Sequence, residues 1–137
     1  MAKAVWSDIY SVEVKEIDEQ HKSLIDFLNQ GYSSASSDPN NIQLFLNYFQ
    51  SLTAHAELHF GTEEKYFKQF NFSEAQEHII EHNKIKEKIF NLQSKYQQTH
   101  NIDVIFDTLQ TIDDWIFEHI MQYDKKYVAL FKEHGLK

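Results

Sequence analysis

Two pairs of metal-ligand residue types stand one helical turn apart in this chain: His59 with Glu63, and His78 with His82. Residues four apart on a helix lie on nearly the same face, so each pair aims two donor atoms at one locus. His21 and His119 sit on two further apolar stripes, where Leu or Ile would be normal. A lone core histidine is usually a hydrogen-bonded structural residue. Five of them on four facing stripes are different, and Glu63 adds a carboxylate that is very costly to bury without a partner. A metal site is the better explanation. Asp124 lies five residues after His119, a spacing that rotates it away on a regular helix. As a ligand it requires a local distortion, such as a wider turn near Met121 to Tyr123; otherwise it is a solvated charge.

Four amphipathic segments must position these groups. The first runs from about Asp18 to Ser34, with Ile17, His21, Leu24 and Leu28 on one stripe, and ends in a serine-rich stretch around Asp38-Pro39. The second begins near Asn41 and aligns Phe45, Phe49, Leu52, Ala56, His59, Glu63, Tyr66 and Phe70. Ser73 and Gln76 then read as a capping box opening the third, whose stripe is Ala75, His78, His82, Ile85, Ile89, Leu92 and Tyr96. The fourth carries Ile102, Ile105, Leu109, Ile112, Ile116, His119 and Tyr123. Short connections predict an all-α, antiparallel up-down-up-down four-helix bundle. An N-terminal arm precedes it, anchored by Trp6 and Tyr10, and residues 1–137 read as a single domain.

Composition agrees and narrows the partners. Three Gly and one Pro in 137 residues favour long helices, and 42% hydrophobic residues supply a core. Thirteen basic against 21 acidic residues give a net charge of −8 without a basic cluster, so nucleic acid and anionic membranes are poor partners. With no Cys, disulfides, thiolate metal sites and Cys nucleophiles are excluded. No signal-peptide core or run of transmembrane length is evident, so a cytoplasmic protein is expected, with a monomer slightly favoured.

Two other metal chemistries fit less well. His78-Ile79-Ile80-Glu81-His82 matches the H-x-x-E-H zinc-protease pattern with Glu81 as general base, but it leaves His21, His59 and His119 unexplained; Glu81 is more simply a solvated charge. A ferritin-like ferroxidase needs Glu-x-x-His on two helices, and no Glu in this chain has a His three residues later. His55, His100 and His134 read as a half-exposed flank, a helix break and a frayed tail. Gly61 either permits close approach beside His59 or is a tolerated surface glycine. Trp115 walls the cluster or is an ordinary core aromatic, and Glu64 is a solvated neighbour of Glu63.

Taken in order, Asp18-Glu19-Gln20-His21, His59-xxx-Glu63, His78-xxx-His82 and Trp115-xxx-His119-xxxx-Asp124 resemble the seven-ligand signature of hemerythrins, particularly the bacterial single-domain type. The resemblance runs from Trp6 to about Tyr127, departing at Asn71-Phe72-Ser73, where relatives often carry a Gly-x-Pro turn. It implies two non-haem irons. His78, His82 and His119 would hold one; His21 and His59 would hold the other. Glu63, Asp124 and a bridging oxo or hydroxo group would join them. The first iron is then full, and the second keeps an open position for O2, or for a small anion such as azide in the oxidised form. A histidine-rich, carboxylate-poor pair favours reversible two-electron chemistry over O–O cleavage. The implied function is reversible O2 binding for carriage, storage or delivery, without catalysis. The same ligands are compatible with a di-iron redox enzyme or sensor acting on peroxide, nitric oxide or O2.

Overall fold

The computed structural model describes residues 4–137. Four long helices account for most of it: α1 (Lys15–Ser37), α2 (Ile42–Gln69), α3 (Ala75–Thr99) and α4 (Ile102–Gln122). No strand occurs among the described residues. α1 packs on α2 and α4, and α3 packs on the same two, so helices consecutive in the chain are neighbours in the antiparallel bundle. No helix among the described residues is long and apolar enough to cross a membrane.

Local chemistry fixes the helix ends. Asn41 and Asn101 cap α2 and α4, their side chains accepting from the backbone N–H of Leu44 and Asp103. His100 closes α3 in a left-handed conformation, φ 50°. The capping box expected of Ser73 and Gln76 does not form. Glu74 is the residue flanking α3, and it makes no side-chain cap. The preceding turn is set instead by Phe72, which is buried while its carbonyl accepts from Ala75 N–H at 3.2 Å.

Most of the expected stripes are buried, including Ile17, Leu24 and Leu28 on α1 and Ile105, Leu109, Ile112 and Ile116 on α4. On α2 the stripe drifts at its end. Phe67 is buried, whereas Tyr66 and Phe70 are only partly covered, because Phe67 lies one turn beyond Glu63 and faces the same interior.

The bundle has two apolar cores. The larger runs between the four helices and includes Phe45, Phe49, Leu52, Tyr96 and Leu109. The smaller closes one end and is assembled from Val12, Val14, Ile17, Phe67, Phe72, Tyr127 and Phe131. In the N-terminal arm Val12 and Val14 are the buried anchors, while Trp6 and Tyr10 are half-covered. The C-terminus is not a frayed tail. A 3-10 turn at Asp124–Tyr127 leads into α5 (Val128–Glu133), which buries Phe131 completely.

Candidate metal centre

Asp18 fixes the start of α1. It accepts from Val12 N–H at 2.8 Å and from Ser11 Oγ at 2.6 Å, placing a carboxylate where the helix dipole favours one. One turn later His21 enters the bundle. His59 and Glu63 come from the middle of α2, His78 and His82 from the first turns of α3, and His119 from the last turn of α4.

Asp124 reaches the same layer by a different device from the one expected. The chain does not widen near residues 121–123. α4 stops at Gln122, Tyr123 N–H donates to His119 O at 2.8 Å, and the backbone tightens into the 3-10 turn. Ending the helix there swings Asp124 inward until its side chain is fully buried, so it is not a solvated charge.

All seven groups are buried and converge. Each histidine turns its Nε2 inward. His21 Nε2 lies 3.1 Å from Asp124 Oδ2, while His78 and His119 Nε2 lie 2.9 and 3.0 Å from Asp124 Oδ1. Glu63 Oε1 is 3.1 Å from His82 Nε2 and 3.4 Å from His59 Nε2. Two overlapping groups emerge: Glu63, His78, His82 and His119 in one, and His21, His59, Glu63 and Asp124 in the other, each with donor atoms within 4.8 Å of one another.

The donor chemistry fits metal ions. Glu63 Oε1, both Asp124 oxygens and His82 Nε2 are buried without a hydrogen-bond partner, and unpaired buried polar atoms are costly. Pairs of ring nitrogens face each other at 3.0 Å (His21 with His59) and 2.9 Å (His78 with His119). Burial drives His59 and His82 down to about 3, so both are neutral imidazoles with a lone pair free for a metal. Burial, and then the charge of Asp124, raises Glu63. Burial opposes ionisation of Asp124 too, but His119, His21 and His78 outweigh it and hold the carboxyl well below its usual range. Burial also lowers His119, and the Asp124 charge 3.0 Å away reverses this to a net rise. Cations within the cluster would satisfy the facing lone pairs and both carboxylates together.

A surrounding shell aims the ligands. Tyr127 OH donates to Glu63 Oε2 at 2.6 Å, and burial followed by the nearby carboxylates raises its own pKa well above the usual value. Trp115 stacks on His119 with centroids 4.2 Å apart, and Phe60 stacks on His82 at 4.0 Å. Trp115 therefore walls the cluster. His59 Nδ1–H donates to Gln20 Oε1 at 2.7 Å, and His82 Nδ1–H to Glu64 Oε2 at 2.9 Å. Glu64 is thus bound to the centre rather than simply solvated. Glu81 is also engaged: Tyr123 OH donates to it at 2.7 Å and lowers its pKa. Gly61 is exposed with open space where a Cβ would stand, so nothing approaches it closely. His55 is half-buried on Gln20 O, while His100 and His134 lie outside the cluster.

Sequence reasoning missed Tyr127 and Gln20. Gln20 precedes His21 within a quoted motif, and its signal was available there. Tyr127 carried none, because its placement depends on the 3-10 turn.

The family model described as hemerythrin HHE cation binding domain matches residues 12–131. A bacteriohemerythrin of Clostridium acetobutylicum is 28% identical over 129 residues, covering 90% of this chain and 98% of that protein. Another, from Methylococcus capsulatus, is 27% identical over 128 residues, covering 93% and 95%. A crystal structure of wild-type hemerythrin superposes with a TM-score of 0.83 at 25% identity, covering 94% of this chain and 98% of that one. With the family model spanning most of the chain and bacterial relatives matching about nine-tenths of it, the chain belongs to the hemerythrin family and is of the bacterial kind.

Proposed function

We propose that residues 1–137 act as a single hemerythrin-like domain that binds O2 reversibly at two non-haem irons, as a carrier, store or donor rather than an enzyme. The observation that carries this reading is the overlap of two buried donor groups on Glu63, one with three histidines and one with two. His78, His82 and His119 would hold one iron and His21 and His59 the other, with the Glu63 and Asp124 carboxylates placed to serve both. When bound, the two Fe(II) ions supply the two electrons that O2 capture requires.

The chain's own residues do the rest. Five imidazoles and only two carboxylates keep the site poor in anionic donors, which disfavours O–O cleavage. Leu24, Leu52, Phe60, Ile85 and Ile112 line a small, wholly apolar cavity against His59. His59 is the ligand histidine at its wall, beside Trp115, and on this reading the cavity admits an apolar diatomic toward the iron of that histidine. The same side chains exclude water and so oppose loss of a charged reduced product. Tyr127 holds the outer oxygen of Glu63, leaving Oε1 to face the imidazoles. A cytoplasmic monomer is the setting this reading favours.

Elemental analysis of protein from iron-replete cells should give two irons per chain and little zinc; one zinc and no iron would sink the reading. The reduced protein, taken from argon to air and back to argon, should colour and bleach reversibly. Sustained peroxide consumption would favour an enzyme instead. In a crystal structure of the oxidised azide adduct, azide should occupy the His21/His59 iron. Azide on the three-histidine iron would show that the ligand partition is wrong.

A further inference from the structure

The backs of the histidines are not treated alike. His21 and His119 Nδ1 are buried without a partner. His59 Nδ1 meets a neutral amide, Gln20 Oε1, at 2.7 Å; the same amide donates to Thr62 Oγ1 at 3.1 Å, which tethers it to α2. His82 Nδ1 meets a carboxylate, Glu64 Oε2, at 2.9 Å. Glu64 stands next to Glu63 on α2, and its side chain keeps 30% of its surface exposed. The two backing residues therefore differ in charge, and each serves a different one of the two donor groups.

The chemistry of the two contacts differs accordingly. Either acceptor fixes the Nδ1–H tautomer and aims the Nε2 lone pair into the cluster. Only the carboxylate also draws on the proton, making the imidazole a stronger electron donor and placing a negative charge one ring away from the metal. A site that gains positive charge on oxidation is stabilised by that charge. The amide behind His59 orients its ring without this bias.

We propose that Glu64 is a positioning residue that fixes the His82 tautomer and makes the metal held by His78, His82 and His119 the first of the two to be oxidised. The step is removal of one electron from the Fe(II)Fe(II) pair to give Fe(II)Fe(III), the electron passing to an outer-sphere oxidant such as ferricyanide. The inference rests on the di-iron reading above.

The test compares iron-loaded wild type with Glu64→Gln, Glu64→Ala and the exposed α2 control Glu57→Gln. It measures the midpoint potential of the first oxidation, the rate of iron loss to a chelator, and the His82 tautomer by nitrogen-15 NMR of the iron-free protein. Glu64→Gln keeps an acceptor without charge. It should retain the tautomer and two irons but shift the oxidation equilibrium about tenfold toward the reduced state, roughly 59 mV upward. Glu64→Ala should show that shift, lose the tautomer preference, and release iron about tenfold faster or more. Glu57→Gln should match wild type. A potential for Glu64→Gln equal to that of Glu57→Gln would overturn the proposal, because a purely structural contact changes iron retention and not potential. If the wild type itself lacks two irons, the di-iron reading fails; two irons with an unmoved potential sink the Glu64 role alone.

Discussion

The two ends of the bundle bury similar apolar material in different ways. Away from the metal-ligand layer, Phe45, Phe49, Tyr96, Val104 and Leu109 pack between four regular helices, each supplying its own stripe. Beyond that layer Ile17 of α1 and Phe67 of α2 are joined by residues from outside the four long helices. Val12 and Val14 arrive from the arm, Phe72 from a turn, and Tyr127 and Phe131 from the segment after α4. The first end is a product of helical period. The second is a plug made of chain ends, held by contacts distant in sequence such as Lys125 Nζ donating to Ser11 O at 2.6 Å. It is the plug that carries Asp124 and Tyr127 into the cluster. Bundle stability and ligand placement should therefore be separable by mutation.

The largest test of that separation pairs Phe131→Ala with Phe45→Ala. Both side chains are completely buried, so each change should cost about 3–5 kcal/mol in chemical denaturation. Phe131 stacks on Tyr127 with centroids 4.3 Å apart. Its loss should also lower the iron content per folded chain, whereas Phe45→Ala should leave that ratio unchanged. Equal iron loss in both would mean the site depends on global stability alone.

Tyr127→Phe isolates the hydrogen bond between the plug and the Glu63 carboxylate. It removes the donor to Glu63 Oε2 and little else, leaving a buried carboxylate oxygen unsatisfied. A loss of about 1–3 kcal/mol is expected, together with faster iron release to a chelator. A variant as stable and as iron-retentive as wild type would remove Tyr127 from the ligand-orienting shell.

Gly31→Ala probes the opposite end. A Cβ there would stand 2.5 Å from both Leu109 Cδ2 and the Tyr48 hydroxyl oxygen, and Tyr48 OH is tied to Phe27 O at 2.9 Å. Overpacking should cost about 1–3 kcal/mol, with iron stoichiometry intact. Iron loss here would show that strain crosses the bundle.

The same division explains what was legible beforehand. Ligand pairs four apart, His59 with Glu63 and His78 with His82, could be placed on one face because helical period alone decides it. Buried stripes on α1 and α4 followed for the same reason. The hydrogen bond from Tyr127 to Glu63 and the capture of Phe131 by Phe67 join residues more than sixty positions apart, and no local period encodes those or the 3-10 turn at Asp124. Glu64 was misjudged because its partner His82 belongs to another helix: adjacency to Glu63 says only that it faces elsewhere.

The smallest expected effect is the sharpest check on reading the helical end by period. Gly61 lies inside α2, two residues from both His59 and Glu63, and could have been there to let something approach the cluster. It is exposed, its φ is not positive, and an added Cβ meets nothing within 4 Å. Glycine within a helix costs roughly 0.5–1 kcal/mol relative to alanine, much of it through the freer unfolded chain. Gly61→Ala should therefore stabilise the protein by about that amount and raise its melting temperature. Iron content and iron release should stay as in wild type, since the new methyl points away from every ligand. Lower iron retention would mean that the backbone at Gly61 must flex for the site to load, and that a regular, period-built helix is not sufficient to present His59 and Glu63.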